Sequence, residues 1–176
     1  MPTEKITMKS ALRLFSVVIL IAFAAMLIAA IAARFSDGPL GPFKGGPFES
    51  GERVQQSLKN WDMYRGVREV DLQLEQPPNS RRVWIIVDDG DIYIPSGFIK
   101  TVPIWKQWPH EAMDDGRALL RVDGKIYPVL LVRVENPALR LKLLKQASAK
   151  YDLPAPEGIP DPEDTWVFRL DPRPTP

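Results

Sequence analysis

The chain has no cysteine and only one histidine, His110. Those shortages remove disulfides, thiolate nucleophiles, iron–sulfur clusters and cysteine-ligated zinc, and one imidazole does not build a usual zinc site, so no metal centre is expected. An absence of cysteine also suits an oxidising compartment. An excess of one charge is lacking too. The 23 basic and 22 acidic residues leave a net charge of +1, without the basic surplus that neutralises phosphates along a nucleic acid, so nucleic acid is not an expected partner. No complete catalytic motif is present. Asp88, Asp89 and Asp91 surround Gly90 but lack the spaced ligands and terminal Glu of an EF-hand, and they read as a solvated turn. His110, in Trp108-Pro109-His110-Glu111, has no recognisable serine or cysteine partner for acid–base work and reads as a residue in the first turn of a helix.

One stretch lacks charge altogether. Leu14 to Ala33 is 20 residues long, and eleven of them are Leu, Ile, Val or Phe. That length spans a hydrocarbon core, and the eleven contribute about −5 kcal/mol on the insertion scale. The competing reading is a cleaved signal peptide, since Ala30-Ile31-Ala32 has a small-x-small form, but the apolar region of a signal covers only about 7 to 15 residues. An uncleaved signal anchor is therefore expected, with the lipid bilayer as its partner. Lys5, Lys9 and Arg13 precede the segment, and only Arg34 and Lys44 follow it closely, so the positive-inside rule places the N-terminus in the cytoplasm. The globular part is then extracytoplasmic, and periplasmic in a bacterium. The resulting division is a cytoplasmic N-terminus (1–13), a transmembrane helix (14–33), a Gly/Pro-rich linker (34–50), a folded domain (51–172) and a tail (173–176).

Between Ser36 and Gly51 the chain reads SDGPLGPFKGGPFESG, in which Gly and Pro block helix and central strand alike, giving a linker or a docked irregular segment. Val54, Leu58 and Trp61 fall at i, i+4 and i+7, the spacing of one apolar face of a short helix. From Val67 the period becomes two, with Val70, Leu72 and Leu74 alternating against Asp71, Gln73 and Glu75. Pro77-Pro78-Asn79-Ser80 reads as a turn. Arg82–Val87 and Asp91–Ile94 read as strands joined by an Asp89-Gly90 hairpin turn, as do Ala118–Val122 and Lys125–Val134 around Asp123-Gly124. Pro128 implies an edge or a bulge in its strand. Asn136-Pro137 suits the start of a helix running to about Tyr151, with Leu139, Leu143, Leu144 and Ala147 buried. Arg140, Lys142, Lys145 and Lys150 on that helix read as solvated cations near its C-terminal half, or as a face toward anionic lipid. Thr165–Leu170 reads as a last strand. The fold expected is mainly β (α+β): a transmembrane helix followed by a six-stranded antiparallel barrel with two or three short helices.

The order of Arg82-Val83-Trp84, Asp89-Gly90-Asp91-Ile92-Tyr93, Pro103-Ile104-Trp105, Asp115-Gly116-Arg117 with Leu119 and Arg121, and Gly124-Lys125-Ile126-Tyr127 resembles the flavin-binding split-barrel superfamily. That superfamily includes pyridoxamine-phosphate-oxidase-like and deazaflavin-dependent nitroreductase-like proteins. The resemblance covers about residues 65 to 172, and Trp166, Phe168 and Arg173 also suit it. It implies a split barrel, FMN or a deazaflavin as cofactor, oxidoreductase chemistry and a homodimer with the cofactor at the subunit interface. Carried over, Arg82, Ser96, Lys100 and Lys106 are its candidates for the cofactor phosphate, and Tyr93 or Trp105 for stacking on the ring. Such cations and a hydroxyl converging on one point are what a phosphate requires. Ile94 replaces the threonine hydroxyl of phosphate-oxidase-like members and the later Arg-Lys pair is not clean, which disfavours pyridoxine chemistry. No twin-arginine signal precedes the domain, so a noncovalent cofactor would be captured after export. Two readings of Arg82, Lys100 and Lys106 stand: cofactor ligands, or ordinary surface cations on a cofactor-free binding or assembly module.

Overall fold

A computed structural model of the chain describes residues 8–41, 43–102 and 106–173. The first element, helix α1 (Met8–Ala33), has the length and composition of a membrane span over Ser10–Ala33. Its 26 residues reach about 39 Å at 1.5 Å per residue, more than a hydrocarbon core of about 30 Å. Leu, Ile and Phe side chains stand exposed around its whole circumference, so it has no single apolar face turned to the rest of the described residues.

The remainder is a curled, mostly antiparallel sheet. Its strands are β1 (Glu52–Arg53), β2 (Glu69–Glu75), β3 (Pro78–Trp84), β4 (Ile86–Asp88), β5 (Asp91–Ser96), β6 (Arg117–Val122), β7 (Lys125–Arg133) and β8 (Trp166–Pro172). Helix α2 (Trp108–Asp114) precedes β6, and α3 (Pro137–Tyr151) connects β7 to β8. The lateral order is β3-β2-β6-β7-β8-β5-β4, and β1 runs parallel to β7. Strands β3 and β4 stand at opposite margins of that order and meet in the chain at Ile85, so one bent run of chain joins both margins of a half-barrel.

Six strands were expected and eight strand segments are present among the described residues. One extra is the two-residue β1. The other arises because the expected strand Arg82–Val87 breaks at Ile85. The Ile85 backbone leaves the ladder there, and its N–H donates to the Tyr151 hydroxyl at 2.9 Å while its carbonyl accepts from Lys150 Nζ at 3.0 Å. The C-terminal turn of α3 thus satisfies the polar groups that a sheet corner would otherwise orphan. Strand β3 also begins inside the expected turn, at Pro78, because Pro78 and Asn79 already pair with Glu75 and Leu74 of β2, and Ser80 pairs with Gly45 as well. The helix expected through Val54, Leu58 and Trp61 is absent. The Val54 N–H donates to Ile126 O and that of Trp61 to Gly90 O, so these amides serve the barrel, and only a 3-10 turn forms at Asp62–Tyr64.

Both Asp-Gly hairpins occur, with φ of +53° and +80° at Asp89 and Gly90 and +48° and +73° at Asp123 and Gly124. Pro128 lies in β7, which has neighbours on both sides. Its carbonyl faces β8, where Arg173 N–H approaches at 3.5 Å. Pairing with β8 starts only at Val129, and pairing with β1 ends at Ile126. The missing N–H of proline therefore falls in the gap between two neighbours.

Inward residues of β2 to β8, among them Leu72, Ile85, Ile94, Leu120, Val129 and Phe168, form the main core. Ile86, Tyr93 and Val167, on the outer face, pack under Leu143, Ala147 and Tyr151 of α3. Asn136 caps α3 by accepting from the N–H groups of Ala138 and Leu139. Phe48, Leu119 and Ile126 form a third cluster, which docks residues 36–50 on the sheet. In that segment Gly46 N–H donates to Ser36 O at 3.1 Å. A Cβ on Gly46 would stand 2.7 Å from Arg34 O, so only glycine permits this approach to the end of α1.

Candidate functional site

Strand β3 alternates its side chains across the sheet. Arg81 opposes Leu72 and shares its inward face, whereas Arg82 opposes Asp71 and points outward. Inward at this end of the half-barrel means beneath α2, where the Arg81 guanidinium lies 5.6 Å from the centre of the Trp108 ring and 3.6 Å from Glu111 Oε2. At that length the ion pair is not a hydrogen bond. Arg81 also donates to Asn79 Oδ1. Around this buried arginine is a groove of about 420 Å³ whose polar lining is Lys44, Arg81, Arg82, Ser96 and Lys106, with Trp84, Phe98 and Trp108 as aromatic walls.

The charges of this groove are poorly compensated. Burial pushes the Arg81 guanidinium down to about 10, against the opposing pull of Glu111. Burial, and after it the charge of Arg81, lowers both Lys44 and Lys106 from the ordinary lysine range. Arg82 is partly neutralised by Asp71 at 3.2 Å and remains half exposed. Ser96 Oγ and Arg81 Nε are buried without a hydrogen-bond partner among the described residues. Buried polar groups are usually partnered, and a cluster of desolvated cations beside an unpartnered hydroxyl is completed by an anion with several acceptor oxygens.

Of the residues proposed from sequence, Arg82, Ser96 and Lys106 meet at this groove. Tyr93 and Lys100 lie elsewhere. Tyr93 is buried under α3, its hydroxyl donates to Asp91 at 3.3 Å, and burial, reinforced by Asp91, pushes its phenol up to about 12. Lys100 is exposed and pairs with Glu163 at 2.9 Å. Trp105 is outside the described residues. Sequence reading missed Arg81, Lys44, Phe98 and Trp108. Arg81 had a signal in the two-residue period of β3, which turns one of two adjacent arginines inward. Lys44 had none, because its place depends on the pairing of Gly45 with Ser80 across the chain.

Another polar groove, of about 590 Å³, is lined by Asp37, Ser50, Asp71 and Arg121. Its charges are already matched, since Arg121 pairs with Asp37 at 2.8 Å and with Asp71 at 3.2 Å. His110 stands in α2 with its ring edge-on to Trp166 at 4.9 Å. No cluster of metal-ligating side chains occurs among the described residues.

No family model matches the chain, and no curated protein matches it. Among solved structures it is similar to a conserved hypothetical protein from Mycobacterium tuberculosis, at 15% identity over 67% of this chain and 82% of that one, with a TM-score of 0.44. It is similar to an F420 reductase at 17% identity, over 62% and 88% of the two chains, with a TM-score of 0.41. A pyridoxamine 5'-phosphate oxidase-related, FMN binding protein from Nostoc punctiforme gives 13% identity, 63% and 73% coverage and a TM-score of 0.38.

Proposed function

We propose that this chain is a membrane-tethered, oxidoreductase-like protein that binds FMN or a deazaflavin, with α1 in the bilayer, the N-terminus cytoplasmic and the half-barrel outside. The observation that carries the reading is the groove itself: Arg81, Arg82, Lys44 and Lys106 line it together with a hydroxyl, Ser96 Oγ, buried and without a partner among the described residues. In this reading Arg81 and Lys106 hold the cofactor phosphate, Ser96 donates its hydroxyl, and Trp84 and Phe98 shield the rest of the ligand from water. A bound flavin or deazaflavin supplies hydride-transfer chemistry. The chain's own residues bind and orient it, and no residue is assigned a proton-transfer role. A homodimer that covers the open side of the groove belongs to the same proposal.

A cofactor-free binding module is the second reading, favoured by the engagement of Tyr93 and Lys100 in other contacts. Full-length chain purified in detergent micelles separates the two. At a hundredfold excess of FMN or deazaflavin over Kd, ligation stabilises the native state by about 2.7 kcal/mol, a rise of roughly 5–11 °C in Tm for a chain of this size. A flat melting temperature with both compounds, and no visible absorbance in the purified protein, points to the module.

A further inference from the structure

The cationic groove continues past its aromatic wall. Trp84, Pro95, Gly97 and Phe98 also border a cavity of about 320 Å³ whose other side is apolar, built by Leu144 and Ala147 of α3 and by Leu153, Pro154, Pro156 and Pro160 of the connection to β8. The two compartments differ in how well their polar groups are satisfied. In the apolar one, Asp164 accepts from the N–H groups of Lys100 and Thr101 and from the Thr101 hydroxyl, and the Ser148 hydroxyl approaches two carbonyls, Leu144 O and Pro154 O. In the cationic one, Ser96 Oγ and Arg81 Nε remain unpartnered among the described residues.

At the junction stands Phe98, 62% exposed and with φ of +62°. A bulky residue in the left-handed region is an outlier, of a kind that concentrates at ligand clamps. Trp84 beside it is 40% exposed, although its ring stacks on Tyr151 at 4.4 Å. The cationic end also lies close to the anchor. Lys44 is within electrostatic reach of Arg34, the residue after α1, and Gly46, two residues on, abuts the Arg34 carbonyl. With α1 in a bilayer, this end of the groove sits at headgroup level.

We infer that the two cavities form one site for a phosphate-bearing lipid drawn from the bilayer, with its phosphate among Lys44, Arg81, Lys106 and Ser96 and its chain laid across Trp84 and Phe98 into the Leu/Pro pocket. The charge complementarity is to the phosphate and the apolar wall is to the chain, so neither part alone satisfies the site. This inference goes beyond the cofactor proposal and does not rest on it. FMN shares the phosphate chemistry and competes for the same cations.

Full-length chain in micelles of a phosphate-free maltoside detergent is titrated with lauroyl lysophosphatidate, with glycerol 3-phosphate as the headgroup alone, with monolaurin as the uncharged chain, and with FMN, and bound ligand is read by native mass spectrometry. Lysophosphatidate is expected to bind at least about tenfold more tightly than glycerol 3-phosphate or monolaurin, a difference of about 1.4 kcal/mol. Leu153→Glu, at a residue that is 46% exposed and therefore tolerant of substitution, is expected to remove that advantage and leave FMN binding unchanged. Lys106→Glu weakens both ligands. Lysophosphatidate binding no better than glycerol 3-phosphate, or undiminished by Leu153→Glu, overturns the inference. FMN binding without lysophosphatidate binding overturns it and leaves the cofactor proposal standing, whereas the reverse supports it and removes the cofactor proposal.

Discussion

Replacing Arg121 with alanine lowers the melting temperature of the chain by roughly 6–12 °C, equivalent to about 3 kcal/mol at this chain length. Its side chain is 16% exposed and its guanidinium pairs with Asp37 and Asp71. It also donates to the backbone carbonyls of Asp37 and Ser50 and lies 4.3 Å from the centre of the Phe48 ring. One side chain therefore ties residues 37–50 to β6 and β2. The cost falls near the lower end for a broken buried pair because Asp37 keeps the Glu49 N–H and the Ser50 hydroxyl, and Asp71 keeps Arg82. Arg121→Lys retains charge but loses the fork and lands between the two. Thermal unfolding followed by circular dichroism in micelles checks the order. The sign with pH is also fixed. The Ser50 hydroxyl, helped by the Glu49 amide and Arg121, holds the Asp37 carboxyl well below the usual carboxylate range. Its contribution is therefore complete above the unfolded value of about 3.9 and declines as pH falls below it. The difference between wild type and Arg121→Ala narrows in acid.

Phe168→Ala is expected to cost about 3–5 kcal/mol, a large fraction of an ordinary total stability of about 5–15 kcal/mol. Phe168 is fully buried. Its strand is held between β5 and β7, and its ring lies 5.4 Å from Trp108 and 6.1 Å from Trp166. No neighbouring strand can move in to refill the space without breaking a ladder. Trp108 is also a wall of the cationic groove, so the substitution loosens the site as well as the core. Phe168→Leu keeps most of the volume and is expected to cost less than about 1.5 kcal/mol. Denaturant midpoints give the stability order, and FMN affinity in the folded fraction reports on the groove.

What sequence reading reached, and where it stopped, follows the range of the interactions concerned. The turns at Asp89-Gly90 and Asp123-Gly124 and the Asn136 cap were legible because the chemistry is local: two residues with positive φ, or one side chain accepting from N–H groups two and three residues on. The break at Ile85 was not, since its cause is Tyr151, 66 residues away. Val54, Leu58 and Trp61 misled because helical spacing also describes three contacts made by an irregular segment whose amides are used by distant carbonyls. Arg140 looked like a solvated helix cation, yet it is 3% exposed and donates to Pro160 O, a contact set by how the chain returns to β8. In the candidate site, Arg82 and the strand-end Ser96 were reached through the family resemblance, which carries them over by position along the chain. The buried Arg81, its partner Glu111 on α2, and Lys44 on the docked segment belong to three separate pieces of chain. Only tertiary pairing brings them together.

Selection of a phosphate by the groove around Arg81 is what both proposals require. Equilibrium dialysis of full-length chain in micelles against FMN and against riboflavin, which differ by that group alone, tests it directly. Charge-assisted hydrogen bonds of about 1.5–3 kcal/mol predict FMN affinity at least about tenfold higher, with the preference shrinking in Lys106→Ala. Equal affinity for the two compounds, or a preference untouched by Lys106→Ala, contradicts the account.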